Sequence, residues 1–278
     1  MINRGSLTFW VDNEAMNTYG RRGRNQLYTD QTICTFLMLK GIFNLTLRAT
    51  QGLLNSLCEL MNVPLCAPDY RCVSKRTRTV NVSYRQPAKR RITDLGIDST
   101  GLKVFGKGEW KVRKHGAEKW RIWRKLHLAV DPVTHDIVAA EVSFENVHDA
   151  EVLPTLLNPL RRKLGRVYAD DTYDSKASHQ LISRKGATAC IPPRKNTGLW
   201  KKEHPALVMH KEGLAHWKKI SGYHCRSLAE TAMYRFQQLL TGKISLRNYN
   251  GQVGKVMAYV SAINKLNTLG LPVRKPRV

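Results

Sequence analysis

The sequence predicts an α/β fold, in which a mixed β-sheet flanked by helices over residues 92–278 follows an all-helical segment over residues 1–91. Two observations support this division. Apolar residues recur at three- and four-residue spacing up to about residue 63, as in helices, whereas short runs after residue 91 have the alternation typical of strands. Residues 79–91 are polar and basic and contain Pro87, which indicates a linker.

The N-terminal segment is predicted to contain three helices. The apolar residues from 28 to 63 fit two helices that break at Asn44, and Pro64 ends the second. Asp69 can cap a third helix over 70–78, which is short and basic. This is the outline of a helix-turn-helix DNA-binding domain, and a small helical bundle with a solvated basic face is the alternative. The DNA contacts predicted in the third helix are Lys75, Arg76 and Arg78.

The C-terminal segment alternates between strands and helices. Strands are predicted at 92–98, 123–131, 136–144, 166–170 and 187–192, and helices at 149–164, 175–185, 222–240 and 253–266. Pro132 and Thr134 supply a turn, so the second and third strands are expected to form a hairpin. Three strands followed by a helix, a strand, a helix, a strand and a final helix is the order of elements in the ribonuclease H-like fold. The basic, irregular residues 193–222 are expected to be an insertion in it.

The chain is strongly basic, with a formal net charge of +25 and a pI of about 10.1, which favours a polyanion such as nucleic acid as the partner. Residues 98–174 contain 13 Lys or Arg and 12 Asp or Glu, whereas residues 175–278 contain 19 and 3. Carboxylates are therefore concentrated between basic flanks, as an enzyme that uses cations to act on DNA requires.

A membrane-spanning helix needs about 18 consecutive apolar residues, and the sequence contains no such run. It also shows no export signal. We therefore expect no membrane partner and a cytoplasmic location. The cysteines form no CxxC pair, so reduced thiols are expected and a zinc site is not.

Two aspartates are candidates for a metal-dependent site. Asp98 and Asp170 are each the last residue of a predicted strand, at the edge of the sheet where solvent or a metal must satisfy the carboxylate. For either aspartate alone, a turn or a helix cap is the alternative.

The third candidate, Glu230, belongs to the predicted helix 222–240. It is the only acid between Glu212 and the C-terminus. On a helix, Tyr223, Arg226, Glu230 and Gln237 fall on one narrow polar stripe. A simple ion pair between Glu230 and Arg226, one turn apart, is the alternative.

These residues resemble the motifs of bacterial insertion-sequence DDE transposases. Tyr223, Arg226 and Glu230 match the first three positions of the Tyr-x2-Arg-x3-Glu-x6-Lys signature of those enzymes. This chain has Gln237 where the signature has its final Lys. The sequences that begin at Asp98 (Asp-Ser-Thr-Gly) and at Ala169 (Ala-Asp-Asp-Thr) resemble the blocks around the two aspartates of the family. The second aspartate of the family follows an alanine, so the resemblance favours Asp170, which follows Ala169, over its neighbour Asp171. More closely, the chain resembles transposases of the insertion sequence 5 family over about residues 7–271. The supporting stretches are 104–113, 123–131, 191–195 and 227–233.

The resemblance implies a DNA transposase that binds terminal inverted repeats, cleaves at the transposon ends and joins the 3′-OH to target DNA. Asp98, Asp170 and Glu230 are the expected catalytic residues and the ligands of two Mg²⁺ ions, for which Mn²⁺ can substitute. The expected partner is double-stranded DNA, bound by a homodimer or larger assembly in the bacterial nucleoid. Further DNA contacts are expected at Tyr223, Arg226, Gln237, Arg121, Arg124, Lys125, Arg194 and Lys195.

Two other functions fit the same residues. The first is a ribonuclease H-like nuclease or resolvase that cuts DNA without joining it. The second is a domesticated DNA-binding protein without catalysis. Among the remaining polar residues, Asp149 is expected to cap the helix that follows it. His127 is as compatible with packing as with function.

Overall fold

The structure is a computed structural model, and it describes residues 28–85, 92–104, 122–161, 163–194, 213–240, 243–244, 246 and 248–269. The helices, in chain order, are α1 (Asp30–Ile42), α2 (Leu47–Leu60), α3 (Tyr70–Arg76), α4 (Asp149–Leu157), α5 (Lys176–Arg184), α6 (Leu214–Ser221), α7 (Ser227–Leu240) and α8 (Tyr249–Thr268). The strands are β1 (Asp94–Val104), β2 (Ile122–Val130), β3 (Ile137–Phe144), β4 (Arg166–Tyr168), β5 (Thr188–Cys190) and β6 (Lys243–Ile244).

The residues group into two compact units. The N-terminal unit contains the described residues up to Tyr84 together with those of Ile244–Ala262. The second unit contains the described residues from Arg85 to Lys243 and from Ile263 onwards. Helix α8 therefore supplies residues to both units.

The first three helices each follow a residue whose side chain accepts a backbone N–H. Thr29 caps α1, Thr46 caps α2 and Asp69 caps α3, as short oxygen-bearing side chains commonly do. Asn44 has a φ of 49°, a backbone conformation that interrupts helices, and it lies between α1 and α2 as predicted. The third helix ends at Arg76, two residues earlier than predicted.

The sheet of the other unit has the order β3-β2-β1-β4-β5, and β6 pairs with β1. Strands β1, β2 and β3 are antiparallel, which confirms the predicted hairpin, whereas β4 and β5 run parallel to β1. The buried side of the sheet packs on α4 and α5, where Leu153, Leu156 and Ile182 are completely buried. This mixed sheet with its helices fits the predicted ribonuclease H-like core.

Several elements differ from those predicted. Helix α6 (Leu214–Ser221) lies within residues 193–222, so the prediction that this whole stretch is irregular is wrong. Strand β1 continues past Asp98 to Val104 because β2 pairs with it as far as Val104, so the expectation that the strand ends at Asp98 is wrong. Helix α4 ends at Leu157 instead of 164. Strand β6 was not predicted, since its two residues are too few to produce a periodic pattern.

No single helix in the described parts of the chain is long and apolar enough to cross a membrane. Helices α1 and α2 would meet that criterion together, but their axes are bent by 108°.

Candidate active site

Asp98 and Asp170 lie side by side at the place where the parallel part of the sheet ends. Strand β4 pairs with β1 only from Asp94 to Gly96, and Gly96 is opposite Tyr168, the last residue of β4. Two residues further along each chain come Asp98 and Asp170. The Asp170 carboxylate accepts the backbone N–H of Asp171 at 2.9 Å and so begins a 3₁₀ turn over Asp171–Tyr173.

Glu230 reaches the same place because α7 packs closely on β1. A Cβ atom added to Gly96 would lie 3.3 Å from the Cβ of Ala229, so the glycine permits the close approach of the helix. A 3₁₀ turn over Tyr223–Arg226 precedes α7, and it starts at Gly222, whose φ is 69°. The predicted single helix from 222 is therefore two elements, but Arg226 and Glu230 remain neighbours.

The guanidinium of Arg226 lies among the three candidate carboxylates. Its Nη2 atom is 3.6 Å from an oxygen of Asp98 and 3.6 Å from one of Asp170, and its Nη1 atom is 3.1 Å from an oxygen of Glu230. The ion pair with Arg226, which is the alternative to a catalytic role for Glu230, is thus present, but it is one of three ion pairs that Arg226 makes. The Nε atom of Arg226 is buried and has no hydrogen-bond partner among the described residues.

Burial decides the electrostatics of this cluster. The Asp98 side chain is 17% exposed, against 40% for Asp170 and 51% for Glu230. Burial raises the pKa of Asp98 above its ordinary value, and this effect outweighs the opposite influence of Arg226. For Arg226, burial is the largest influence and acts to lower the pKa, but Tyr223 and the three carboxylates together raise it.

The donors at this site suit a hard divalent cation, since they are carboxylate oxygens and not thiolates or imidazoles. Three carboxylates and one guanidinium also leave an excess of negative charge that a cation would neutralise. In the present arrangement Arg226 lies between the acids, and no three His, Cys, Asp or Glu of the described residues stand in a geometry ready to hold an ion.

A layer of hydrogen bonds supports β1 next to Asp98. Ser99 donates to the Asp149 carboxylate at 3.1 Å, and Lys125 pairs with the other oxygen of Asp149 at 3.1 Å. The Gln237 side chain donates to the hydroxyl of Thr100 at 2.7 Å.

Asp149 therefore does not cap α4 as predicted. The N-cap residue is His148, which makes no side-chain capping bond, and the Asp149 side chain binds Ser99 and Lys125 instead. A carboxylate directly before a predicted helix is a strong capping signal, so this tertiary role of Asp149 could not be inferred from the neighbouring residues.

His127 lies completely buried beneath this layer. The Ser143 hydroxyl donates to the Phe144 carbonyl, so it accepts from Nε2 of His127 at 2.9 Å. The Nδ1 atom then accepts from the hydroxyl of Tyr173, 3.4 Å away. Burial lowers the pKa of His127 to about 4, which keeps the ring neutral. Of the two interpretations, the structure favours a packed, hydrogen-bonded histidine.

The DNA contacts predicted in α3 and just after its end divide into two groups. Lys75 and Arg78 are exposed. The Arg76 side chain is only 12% exposed, and it pairs with Asp30 and donates to the carbonyl of Tyr28. A contact between Arg76 and DNA would require this ion pair to open.

Several predicted DNA contacts of the other unit are engaged within the protein. Arg194 donates to the carbonyls of Asp171 and Thr172, and the guanidinium of Arg124 lies 4.8 Å from the centre of the Phe144 ring. The Tyr223 ring packs against Trp217, with 5.4 Å between the ring centres. Arg121 and Lys195 lie outside the described residues.

In comparisons with known proteins, two family models match the chain, and each is described as a transposase DDE domain. One covers residues 2–107 and the other residues 89–265. Among solved structures, the chain is similar to piggyBac transposase in a synaptic complex with hairpin DNA, determined by cryo-electron microscopy. The two are 10% identical with a TM-score of 0.46, over 90% of this chain and 67% of that one.

Proposed function

Because one of these family matches covers more than half of the chain, the chain belongs to the DDE transposases, and we propose that it cleaves DNA at the ends of its own transposable element and joins them to target DNA. The observation that carries this proposal is the convergence of Asp98, Asp170 and Glu230 on one guanidinium. The motifs around these residues further support placement within the insertion sequence 5 family.

In this proposal the three carboxylates hold two Mg²⁺ ions. When bound, such ions supply a positive centre that activates the attacking oxygen and stabilises the leaving oxygen of a phosphodiester. Of the three carboxylates, Asp98 is best suited to be a metal ligand, because its side chain is the most buried and burial raises its pKa despite the nearby Arg226.

Arg226 is proposed to hold a phosphate of the DNA at the site. Guanidinium groups bind phosphate through two parallel hydrogen bonds, and the Nε atom of Arg226 is a buried donor without a partner among the described residues. Tyr223 packs near Arg226, with 6.0 Å between the guanidinium carbon and the ring centre, and so limits the positions the guanidinium can take.

We propose that Lys75 in α3 and Arg78, two residues after the end of α3, contact the terminal inverted repeats, and that two or more copies of the chain act together on the two ends. The exposure of both side chains and the net charge of +25 support DNA as the partner.

The test is Mg²⁺-dependent cleavage and strand transfer on a labelled duplex that carries the terminal inverted repeat of the encoding element. We expect Asp98→Asn, Asp170→Asn and Glu230→Gln each to lower both rates by at least a hundredfold, because each removes a charged ligand. Asp171→Asn is the matched control, since it changes the neighbouring carboxylate, and it should retain activity. Strand transfer by any of the first three variants at the wild-type rate would contradict the assignment. Cleavage without joining by the wild type would support a nuclease instead.

A further inference from the structure

The N-terminal unit contains a basic cavity of about 610 Å³ that belongs to its own residues. Its walls come from α1, α2, α3 and α8. Lys40, Arg48 and Lys255 line the cavity, whereas no acidic residue of the described parts of the chain does. A cavity with three cations and no anion is a place where a negatively charged ligand would be stabilised.

Lys255 is the central observation. The residue is 6% exposed, yet within the described parts of the chain it makes no ion pair and no hydrogen bond. Its ammonium lies 5.6 Å from the centre of the Tyr259 ring. Burying an ammonium without a counter-charge is costly, so its position calls for an anion.

Lys40 adds to this effect. It lies half-buried on α1, and burial lowers the pKa of its ammonium. Burial, and secondly the charge of Lys40, lower the pKa of Lys255 to about 8. Both shifts show that the positive charges of this cavity are under-compensated, and a bound anion would relieve them.

The N-terminus of α2 also faces the cavity. The hydroxyl of Thr46 is occupied by the backbone N–H of Ala49, so the N–H groups of Leu47 and Arg48 have no acceptor in the first turn of their own helix. Thr46, Leu47 and Arg48 all line the cavity. Helix N-termini attract oxyanions through such N–H groups and through the helix dipole.

The acids of this unit are committed elsewhere. Among its described residues, Asp30 pairs with Arg76, Asp69 caps α3, and Glu59 lies exposed in the last turn of α2, far along the helix from Thr46. None of them lines the cavity.

We propose that this cavity binds a phosphate group, held by the ammonium groups of Lys40 and Lys255 and by the first N–H groups of α2. A backbone phosphate of DNA and a free phosphate or nucleotide share this oxyanion chemistry. The proposal does not depend on cleavage by the three acids, and binding measurements test it separately.

The experiment uses the full-length protein with Lys255→Met, Lys40→Met and, as a matched control on the same helix, Lys265→Met, which changes an exposed lysine. Lys255→Met removes a buried charge that lacks a counter-ion, so it should fold and unfold at a temperature no lower than the wild type. The first measurement is the rise in Tm when inorganic phosphate replaces chloride at equal ionic strength. The second is the salt dependence of binding to a random-sequence DNA duplex.

We expect phosphate to raise the Tm of the wild type and of Lys265→Met by several degrees, and to have little effect on the other two variants. If the occupant is a DNA phosphate, Lys255→Met also lowers the slope of log affinity against log salt by about one. If the phosphate effect is lost but the slope is unchanged, the ligand is a small phosphate compound. The proposal is overturned if Lys255→Met and Lys40→Met match the wild type in both measurements.

Discussion

His127 shows at the scale of one residue how burial sets a pH dependence. Its pKa in the folded protein is about 4, below the ordinary value of 6.5 that applies after unfolding. The folded state therefore has its full stability above pH 6.5 and loses it as the pH falls towards 4, because the unfolded chain takes up the proton first. The shift corresponds to about 3 kcal/mol.

We predict that His127→Gln reduces this acid sensitivity. The free energy of unfolding of the wild type should fall by about 3 kcal/mol more than that of the variant between pH 7 and pH 4. Urea unfolding at several pH values measures the difference. His148→Gln changes an exposed histidine and should follow the wild-type curve. Parallel curves for the wild type and His127→Gln would show that another group is responsible.

At this scale the sequence predicted which acids to consider but not what surrounds them. Asp98, Asp170 and Glu230 do meet around Arg226, and chemistry at that place stays a prediction. The bond between Ser99 and Asp149 could not be predicted, because it joins residues 50 positions apart on β1 and α4. Local capping rules favoured a different partner for Asp149.

At the scale of elements, the contact between α7 and β1 determines whether Glu230 reaches Asp98. The glycine at position 96 lets Ala229 approach closely, since an added Cβ would lie 3.3 Å from the alanine side chain, tighter than most such contacts. The expected helix over 222–240 was correct in position, but the 3₁₀ turn before α7 depends on Gly222 and on packing that periodicity does not report. Strand β1 likewise owes its length to pairing with β2, which is not visible in its own residues.

We predict that Gly96→Val displaces α7 from β1. The variant should lose about 1–3 kcal/mol of unfolding free energy because the added methyl groups overpack this contact. Cleavage should slow as well, since Arg226 and Glu230 would move away from Asp98. Gly101→Val is the control on the same strand, where a Cβ would be 3.5 Å from Trp123, an ordinary contact. Equal losses in the two variants would rule out this role of Gly96.

At the scale of the whole molecule, the net charge of +25 makes association with DNA sensitive to salt. Exposed cations that touch phosphates contribute to this sensitivity, whereas cations engaged inside the protein do not. Arg76 belongs to the second group because of its pair with Asp30. Composition alone predicted the sign of the charge and its partner class, but it could not distinguish Arg76 from its exposed neighbours.

We predict that the double variant Lys75→Gln, Arg78→Gln lowers the slope of log affinity against log salt by about two on inverted-repeat DNA, one for each lost phosphate contact. Fluorescence anisotropy over a range of salt concentrations gives the slope. Lys265→Gln serves as the control for the loss of a surface charge. If the slope of the double variant equals that of the wild type, α3 does not bind DNA.

The ion pairs of Arg226 bear on how the three acids come together when the protein folds. Three carboxylates brought together without a cation would repel one another and oppose folding, but this chain carries its own counter-ion to the place where they meet. We therefore expect the acids to lie together in the fold before any dissolved ion binds. If divalent cations activate the enzyme as proposed, the polypeptide is expected to fold in a chelator and to gain activity only when such cations are added.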